Sequence, residues 1–337
     1  LLDPKDNLEF FSILIEASGN DNFQIFKHLL ETRPYHRWDL ADLIDEMLDV
    51  ENVSQDRILM IEYIFKQYGS IMKVIIAGAA GRMGRELLTY AHQDSEINII
   101  GASEASGSEW IGRDIGEVIG VADMNIRIVS DILEVIKSAN VIIDFTDPKT
   151  TLENAVLAAQ ARISHIIGTT GFQDEDIDKL KKAANHAVLV QSGNMSLGIN
   201  VLSHMTEKIA KVLSDFDIEI TEIHHNQKVD APSGTALLLG NSAAKGRSLN
   251  LEDNAVYQRY GNTGRRDKDT IGFSSIRGGS IVGEHSVIFA GDSEVITLSH
   301  SALSRKIFVK GAMLAARWSL NRDPGYYSMD DVLNLEK

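Results

Sequence analysis

The sequence contains no cysteine, no long apolar run and no visible secretory signal at Leu1. The absence of cysteine excludes disulfide bonds, thiolate metal ligands and a cysteine nucleophile, and it fits a reducing compartment. No apolar run approaches the roughly 20 residues that span a bilayer, so a transmembrane helix is not expected. We therefore expect a cytoplasmic protein without a membrane partner.

Positive charge is also scarce. The 337 residues include 33 Lys and Arg against 48 Asp and Glu, which gives a formal net charge of −15. Because non-specific nucleic-acid binding depends on cations that neutralise phosphates, this balance argues against a nucleic-acid partner. A net negative charge does not rule out a local positive site for a small anion. Hydrophobic residues make up 44% and charged residues 24%, as in an ordinary globular protein with two or three domains.

Residues 1–71 differ from the rest of the chain. They hold 14 Asp and Glu against 6 Lys and Arg, over half of the net charge. We find no catalytic cluster there, and we expect surface or packing roles for His28 and His36. We expect these residues to form an appended helical extension of unknown role. Its origin is a natural fusion, translated upstream sequence or an artificial addition. The apolar pattern predicts short helices at residues 7–17, 22–31, 40–48 and 54–68.

From Met72 onwards, short apolar runs of strand type alternate with helical stretches. This alternation predicts an α/β fold with a parallel, doubly wound sheet, that is, a Rossmann-type dinucleotide-binding domain over residues 72–197. The predicted strands are residues 73–77, 97–102, 126–129, 141–145, 165–168 and 188–191. The predicted helices are a stretch ending near residue 92 and residues 133–138, 150–161 and 174–185.

After residue 198 the pattern changes to a second, α+β domain. A long helix and a strand are followed by runs rich in Gly, Thr and β-branched residues, which predict neighbouring strands of a mostly antiparallel or mixed sheet. We expect residues 198–304 to bind substrate and residues 305–337 to return to the first domain. The predicted elements are helices 199–213 and 304–320, strands 217–223, 270–277, 285–290 and 294–299, and a capping tail at 329–335.

A glycine-rich turn with Gly78, Gly81 and Gly84 follows the first predicted strand and opens a helix. Glycines in this place permit a tight turn and a close approach of the backbone to a pyrophosphate at the helix N-terminus. Glu104 ends the second predicted strand, the position of an acid that binds a ribose 2′-hydroxyl. Together these features predict dinucleotide binding rather than a bare strand-to-helix turn.

The residues near Glu104 bear on the choice of cofactor. A 2′-phosphate needs a cation and would be repelled by Glu104, yet no arginine follows before Arg113. This favours NADH. Arg82 in the turn is able to bind a phosphate, so NADPH stays an alternative.

Residues 222–236 bring together two histidines, a lysine and a Ser-Gly-Thr turn. The turn precedes an apolar run, which is typical of a helix N-terminus, where free N–H groups and the positive dipole end attract anions. His224, His225 and Lys228 lie just upstream and supply titratable groups. The segment predicts a site for a small carboxylate or phosphate compound that also requires a proton donor.

Five motifs in this order resemble the 4-hydroxy-tetrahydrodipicolinate reductase family, long called dihydrodipicolinate reductase. The resemblance covers residues 72–337 and implies the reduction of a cyclic dicarboxylate by a nicotinamide cofactor, giving tetrahydrodipicolinate and water in the lysine and diaminopimelate pathway. It also implies a homotetramer built through the sheet of the substrate domain. The motifs are residues 74–84 (Val-Ile-Ile-Ala-Gly-Ala-Ala-Gly-Arg-Met-Gly), 143–146 (Ile-Asp-Phe-Thr), 167–172 (Ile-Gly-Thr-Thr-Gly-Phe), 222–236 and 282–285 (Val-Gly-Glu-His).

The resemblance also implies roles for individual residues. His224 matches the catalytic proton donor, and Lys228 matches a lysine that serves both substrate binding and acid catalysis. Glu104 matches the ribose acid. The residues matched to substrate binding are His225, Lys228, Ser233, Gly234 and Thr235. The residues matched to the cofactor are Gly78, Ala79, Ala80, Gly81, Arg82, Met83, Glu104, Gly168, Thr169, Thr170, Ser192, Gly193, Asn194 and Met195.

The chain departs from the family pattern at three positions. Ala105 stands where relatives that use NADPH often have arginine, and Asp147 stands where a basic residue is common; both changes favour NADH. Met195 replaces a frequent aromatic residue, a conservative packing change. The sequence leaves open whether Lys228 or the substrate decides the protonation of His224.

Several residues keep two interpretations. Arg305 either reaches the ligand or bridges the domains. We expect Glu284 and His285 to belong to the sheet or to an interface. His186, His204 and His300 are expected to be solvated or to pack. No set of His, Asp and Glu has metal-binding spacing, so no metal is expected.

Two other functions compete with the reductase interpretation. One is another two-domain NAD(P) oxidoreductase, for instance acting on an amino-acid aldehyde, although such enzymes generally need a thiol nucleophile or a different proton relay. The other is a non-catalytic nicotinamide sensor, which would have no reason to combine His224, Lys228 and the Ser-Gly-Thr turn.

Overall fold

The computed structural model describes residues 71–335, and the helices predicted in residues 7–68 lie outside this range. Two sheets organise the described residues. Residues 73–90 and 99–335 belong to one compact unit. Within Ala91–Asn98, the turn between the first helix and the second strand is closed by a hydrogen bond from Ile97 N–H to Asp94 O.

The strands and helices are numbered here in chain order. The strands are β1 Met72–Ala77, β2 Ile97–Ser103, β3 Ile128–Val129, β4 Val141–Asp144, β5 Ser164–Ile167, β6 Val188–Gln191, β7 Asp217–His224, β8 Ala255–Val256, β9 Ile271–Arg277, β10 Glu284–Ala290, β11 Val295–Ser301 and β12 Gly325–Tyr327. The helices are α1 Arg82–Gln93, α2 Ile115–Ile119, α3 Pro148–Ala161, α4 Asp174–Ala183, α5 Leu197–Val212, α6 Gly234–Gly246, α7 Leu251–Asn254, α8 Lys306–Ser319 and α9 Met329–Val332.

The first sheet has the strand order β12-β6-β5-β4-β1-β2-β3. The pairs β1/β4, β2/β3, β4/β5, β5/β6 and β6/β12 are parallel. All residues of β4 and β5 are buried, which explains their continuous apolar character in the sequence. The order is that of a doubly wound dinucleotide-binding sheet with β12 added at one edge, so the predicted Rossmann-type fold is confirmed. Its switch point lies between β1 and β4, where ligands bind at the carboxyl ends of the strands.

The second sheet is mixed and has the order β11-β10-β7-β9-β8. β10 is antiparallel to β7 and β11, whereas β9 is parallel to β7 and β8. Alternate residues of β7 are buried. The buried apolar residues of β7 pack in one hydrophobic core with residues of helices α5 and α6. The predicted adjacency of strands 270–277 and 285–290 is wrong: β7 lies between β9 and β10, because its two edges pair with both.

Some local predictions also differ from the structure. Residues 133–138, predicted as a helix, form two separate 3-10 turns, Ile132–Glu134 and Ile136–Ser138. The strand predicted at 126–129 is reduced to β3. The sequence did not predict α2, which begins after Asp114; this buried carboxylate accepts hydrogen bonds from Gly116 and Met124 N–H. The short elements β8, β12 and α7 were also missed.

The carboxyl-terminal helix α8 packs against β4, β5 and β6, and α9 packs against α8 and α5. These contacts place α8 against the first sheet. Among the helices of residues 71–335, none has the length and apolarity to cross a bilayer.

Candidate active site

The glycine-rich turn lies between β1 and α1, at the switch point of the first sheet. Gly78 has a φ of +69°, in the left-handed region that favours glycine. A Cβ atom on Gly84 would overlap the carbonyl oxygens of Gly78 and Ala79. Only glycine at residue 84 therefore lets α1 pack this closely against the turn, as a pyrophosphate-binding turn requires.

Glu104 lies directly against this turn. Its Oε1 accepts a hydrogen bond from Ala80 N–H at 2.7 Å, and Ala79 N–H donates to Ser103 O at 3.0 Å. The acid that follows β2 is thus held beside the glycine-rich turn, and its ribose-binding role stays a prediction. Arg82 is exposed at the first residue of α1.

A cavity of about 860 Å³ opens beside the turn and Glu104. It is lined by residues that follow the carboxyl ends of β1, β2, β3 and β4, and its volume suits a cofactor-sized ligand. Among the described lining residues, Lys149 is the one cation. The acids that line the cavity are Glu104, Asp131, Asp147 and Glu153.

Asp144 is a fully buried carboxylate at the end of β4. Burial acts to raise its pKa, but hydrogen bonds from His165, Thr146 and Asn154 outweigh burial and lower the pKa to about 2. The distances to Asp144 oxygens are 2.6 Å from Thr146 Oγ1, 2.8 Å from Asn154 Nδ2 and 3.2 Å from His165 Nε2. Asp144 belongs to the motif at residues 143–146, but the sequence predicted no role for it.

The Asp144 network reaches the second loop that was predicted to hold the cofactor. Thr169 is buried, and Thr151 Oγ1 donates to Thr169 Oγ1 at 2.8 Å. A Cβ atom on Gly168 would overlap the Phe145 ring. The loops that follow β4 and β5 are therefore packed directly against each other, and Thr170 lies exposed at their edge.

The third predicted cofactor loop, residues 192–195, reaches the predicted substrate segment. Asn194 Nδ2 donates to Thr235 Oγ1 at 2.9 Å, while Ser192 Oγ donates to Asn194 O at 2.8 Å. Met195 is buried and Gly193 is exposed. The structure thus brings the loop after β6 together with the start of α6.

His224 and Glu222 lie on the same buried face of β7. Nδ1 of His224 is 2.5 Å from Oε2 of Glu222. The Arg277 guanidinium binds Glu222 with both nitrogens, at 2.8 Å and 2.7 Å, and Ser233 N–H donates to Oε1 at 3.2 Å. Glu222 begins the motif at residues 222–236, but the sequence predicted no role for it, and Arg277 was not predicted at all. The spacing of two residues between Glu222 and His224 was the available signal, since it places both on one face of a strand.

The charge of Glu222 is fixed by its partners. Burial acts to raise its pKa, but hydrogen bonds from Arg277, Ser275 and His224 outweigh burial and lower the pKa to about 2. Glu222 is therefore ionised near neutral pH.

The Ser-Gly-Thr turn forms the N-terminus of α6, as predicted. Ser233 is the N-cap, and its Oγ accepts from Ala236 N–H at 3.1 Å. Gly234 is exposed with open space around it. The first N–H groups of a helix lack partners within the helix, so this end of α6 is suited to an anion.

His285 belongs to the second sheet, as expected, and it also borders the site. Its Nε2 lies 3.0 Å from Ser233 Oγ, and its ring stands edge-on to the His224 ring at 5.1 Å between centroids. Burial first, and then the charge of His224, lower the pKa of His285 to about 4. His285 is therefore neutral near pH 7. Glu284 is exposed.

Lys228 and His225 lie in the loop after β7. Lys228 Nζ donates to both Asp230 oxygens, at 2.7 Å and 2.9 Å, and these are its hydrogen bonds within residues 71–335. The lysine is close in sequence to His224 but is paired with an acid. His225 is half-buried, and its backbone N–H donates to Ile281 O.

The remaining candidates lie at the margins. Arg305 is exposed just before α8, and its guanidinium has no hydrogen bond or ion pair within residues 71–335. His300 lies opposite His285 on β11, and burial lowers its pKa. His186 is exposed and His204 half-buried. Across residues 71–335, no group of three or more His, Asp or Glu is arranged to hold a metal ion.

A doubly wound sheet with a glycine turn and an acid held against it, together with a histidine near a helix N-terminus, defines a dinucleotide-dependent oxidoreductase. Two family models match the chain: "Dihydrodipicolinate reductase, N-terminus" over residues 72–195 and "Dihydrodipicolinate reductase, C-terminus" over residues 198–333. The chain belongs to the dihydrodipicolinate reductase family, as the sequence motifs predicted.

Relatives with the curated name 4-hydroxy-tetrahydrodipicolinate reductase agree with the family models. The protein of Rhizobium meliloti (strain 1021) is 51% identical over 267 residues, which cover 79% of this chain and 98% of the relative. The protein of Agrobacterium fabrum (strain C58) is 51% identical over 268 residues, with the same coverage. The chain is therefore an NAD(P)H-dependent reductase.

Solved structures show the same fold. The dipicolinate-bound dihydrodipicolinate reductase of Paenisporosarcina sp. TG-14 matches with a TM-score of 0.63 at 23% identity, covering 79% of this chain and 100% of that one. A probable dehydrogenase of Thermotoga maritima matches with a TM-score of 0.52 at 10% identity, covering 77% and 92%.

Proposed function

We propose that the chain reduces 4-hydroxy-tetrahydrodipicolinate, a cyclic dicarboxylate, to tetrahydrodipicolinate and water in the lysine and diaminopimelate pathway. The observation that carries the proposal is the junction of Asn194 with Thr235. This hydrogen bond joins a cofactor loop of the first sheet to a helix N-terminus that lies beside His224 on the second. A reductase for a dicarboxylate needs these three parts together.

The substrate would be held by its carboxylates. The N–H groups of Gly234 and Thr235, which have no hydrogen-bond partner within residues 71–335, offer one carboxylate hydrogen bonds and the positive end of the α6 dipole. His225 and Lys228 lie on the loop nearby and supply further polar contacts. For Lys228, binding the substrate means exchanging Asp230 for a substrate carboxylate.

His224 is the proposed proton donor. The nicotinamide, when bound, supplies a hydride to the substrate. The negative charge that then develops on the substrate requires a proton, and a histidine is suited to give one near neutral pH. His224 is only 9% exposed, which limits competition from water.

The cofactor would be held by the glycine turn and by the loops after β5 and β6. Ala79 and Ala80 line the turn, Arg82 and Met83 open α1, and Glu104 would bind the ribose hydroxyls. The proposed nicotinamide contacts come from Gly168, Thr169, Thr170, Ser192, Gly193, Asn194 and Met195.

We propose that NADH is preferred over NADPH. A 2′-phosphate bound near Glu104 would enter a cavity with four acids and, among the described lining residues, one lysine. Ala105 and Asp147 offer it no cation. Repulsion by these carboxylates disfavours the additional phosphate.

The assembly is proposed to be a homotetramer in the cytoplasm, with residues 72–197 and 305–337 as the cofactor domain and residues 198–304 as the substrate and oligomerisation domain. The two separate sheets support this division. The face of the second sheet away from α5 and α6 presents Ile276 and Val295, which are 51% and 61% exposed and would be covered by another copy.

The function is tested by following NADH and NADPH oxidation with freshly prepared 4-hydroxy-tetrahydrodipicolinate. We expect substrate-dependent oxidation of both, with a higher kcat/KM for NADH. Equal or reversed values would remove the cofactor preference. No turnover with either cofactor would contradict the proposed reaction.

A further inference from the structure

The hydrogen bonding of Glu222 determines which nitrogen of His224 is free to react. An ionised carboxylate only accepts hydrogen bonds, so Nδ1 of His224 must carry the hydrogen that points to Oε2 at 2.5 Å. The nitrogen that gains and loses a proton is therefore Nε2.

The surroundings of Nε2 are open to a ligand. A Cβ atom on Gly283 would lie 2.9 Å from Nε2, so the lack of a side chain at this residue keeps space beside the nitrogen. Within residues 71–335, Nε2 of His224 has no hydrogen-bond partner.

Building on the proposed function, we propose that Glu222 is the positioning residue for His224. It fixes a hydrogen on Nδ1 and leaves Nε2 as the atom that gives a proton to the substrate, while Arg277 moderates the charge of Glu222. In the transfer the Nε2–H bond breaks and the proton joins the substrate atom that became negative. The imidazole is left neutral with its hydrogen on Nδ1, and solvent restores the proton on Nε2.

The charges around His224 explain why both partners are needed. Glu222 favours the protonated ring, whereas Arg277 on β9 and Lys228 in the loop disfavour it. Asp230, which pairs with Lys228 and whose backbone O accepts from Arg277, offsets part of that positive charge. His285 on β10 is neutral near pH 7, because burial lowers its pKa to about 4.

The same carboxylate also aligns the substrate cradle. Oε1 of Glu222 accepts from Ser233 N–H, and Arg277 donates to the backbone O of Asp230 at 2.6 Å. A purely structural role for Glu222 would rest on these contacts alone. The two roles are separable, because only the positioning role predicts pH shifts of opposite sign when Glu222 and Arg277 are replaced.

The test compares the pH dependence of kcat in the wild type, Glu222→Gln and Arg277→Gln. A proton donor makes kcat fall on the basic side, where it loses its proton. We expect Glu222→Gln to move this fall to lower pH by about one unit, and Arg277→Gln to move it to higher pH. Shifts in the same direction, or lower kcat at every pH without a shift, would overturn the proposal. If Glu222→Gln does not fold, the direction of the shift in Arg277→Gln decides alone.

A second measurement does not depend on turnover. A ¹⁵N NMR titration of the His224 ring in the full chain without ligands reports which nitrogen carries hydrogen. We expect hydrogen on Nδ1 in the neutral ring, and a titration midpoint that is lower in Glu222→Gln. Hydrogen on Nε2 in the neutral wild-type ring would contradict the positioning role, even if the enzyme turns over. Failure of turnover with the expected NMR result would instead refute only the proposed reaction.

Glu219→Gln is the matched control. Glu219 lies on the same strand and is bound by both nitrogens of Arg259, at 2.8 Å and 2.9 Å, but its partners include no histidine. We expect the basic fall of kcat to stay in place in this variant. An equal shift in Glu219→Gln would show that the effect does not come from the contact with His224.

Discussion

Each sheet of the protein holds a buried carboxylate, and the two carboxylates have different partners. Asp144 ends β4 in the first sheet, and Glu222 lies near the end of β7 in the second. Hydrogen bonds lower both pKa values to about 2 against the effect of burial. The donors to Asp144 are hydroxyl, amide and imidazole groups, whereas Glu222 is bound by a guanidinium and by His224.

The partners of each carboxylate determine what that carboxylate can do. The Asp144 side chain and its partner His165 are both 0% exposed, so Asp144 itself cannot touch a ligand and acts only by holding the loops after β4 and β5. Glu222 is also buried, but its partner His224 keeps one nitrogen open. Asp144 therefore contributes to the stability of the fold, and Glu222 contributes to the proposed proton transfer.

Removing the imidazole of His224 should lower turnover without weakening cofactor binding. We expect His224→Ala to lower kcat by about 10²- to 10⁴-fold, because the proton donor is lost. The dissociation constant of NADH, measured by fluorescence, should change little, since the proposed cofactor contacts lie elsewhere. Near wild-type kcat would defeat the assignment of His224.

Removing the buried charge of Asp144 should lower the stability of the fold. We expect Asp144→Asn to lower the free energy of unfolding by about 3–5 kcal/mol, because His165 and the other donors lose a buried charged partner. Urea denaturation measures the change. Asp147→Asn is the control: this exposed residue caps α3, and asparagine caps nearly as well, so a change within about 0.5 kcal/mol is expected. Equal losses in both variants would show that burial of Asp144 is not the cause.

Lys228→Ala tests the substrate side. We expect a loss of about 2–4 kcal/mol in transition-state stabilisation, calculated from kcat/KM, because a substrate carboxylate loses its cation. Steady-state kinetics with saturating NADH provide the value. An unchanged kcat/KM would indicate that Lys228 remains paired with Asp230 during turnover.

The contribution of ionised Asp144 to the free energy of unfolding should decrease at acidic pH. Its pKa in the folded chain is about 2, below the ordinary 3.8, so its contribution to stability is present above pH 3.8 and is lost as the pH falls towards 2. The contribution amounts to about 2 kcal/mol. The difference in unfolding free energy between wild type and Asp144→Asn should therefore shrink between pH 4 and pH 2. A constant difference would contradict the low pKa.

The sequence predicted those parts that depend on short-range patterns. Continuous apolar runs identified β4 and β5, and the Ser-Gly-Thr turn identified the start of α6. Strand order was not predictable in the same way, because nothing local states that β7 pairs with both β9 and β10. The short β12 carries too few residues to show a period.

The contacts in the candidate site were also predictable only where they depend on residues close in sequence. Glu222 and His224 share a face because they are two residues apart, and this could have been used. Arg277 is 55 residues beyond Glu222, and only the parallel register of β7 and β9 places it opposite His224. The Asp144 network likewise joins residues from three segments, and its closure depends on packing of the first sheet.

The contrast between the two carboxylates is tested most directly by measuring the pH profile of kcat for Glu222→Gln and Asp144→Asn side by side with the wild type. The fall of kcat on the basic side should move to lower pH in Glu222→Gln and stay in place in Asp144→Asn, despite the lower stability of the latter. A shift in Asp144→Asn, or none in Glu222→Gln, would contradict the division between a structural and a chemical carboxylate.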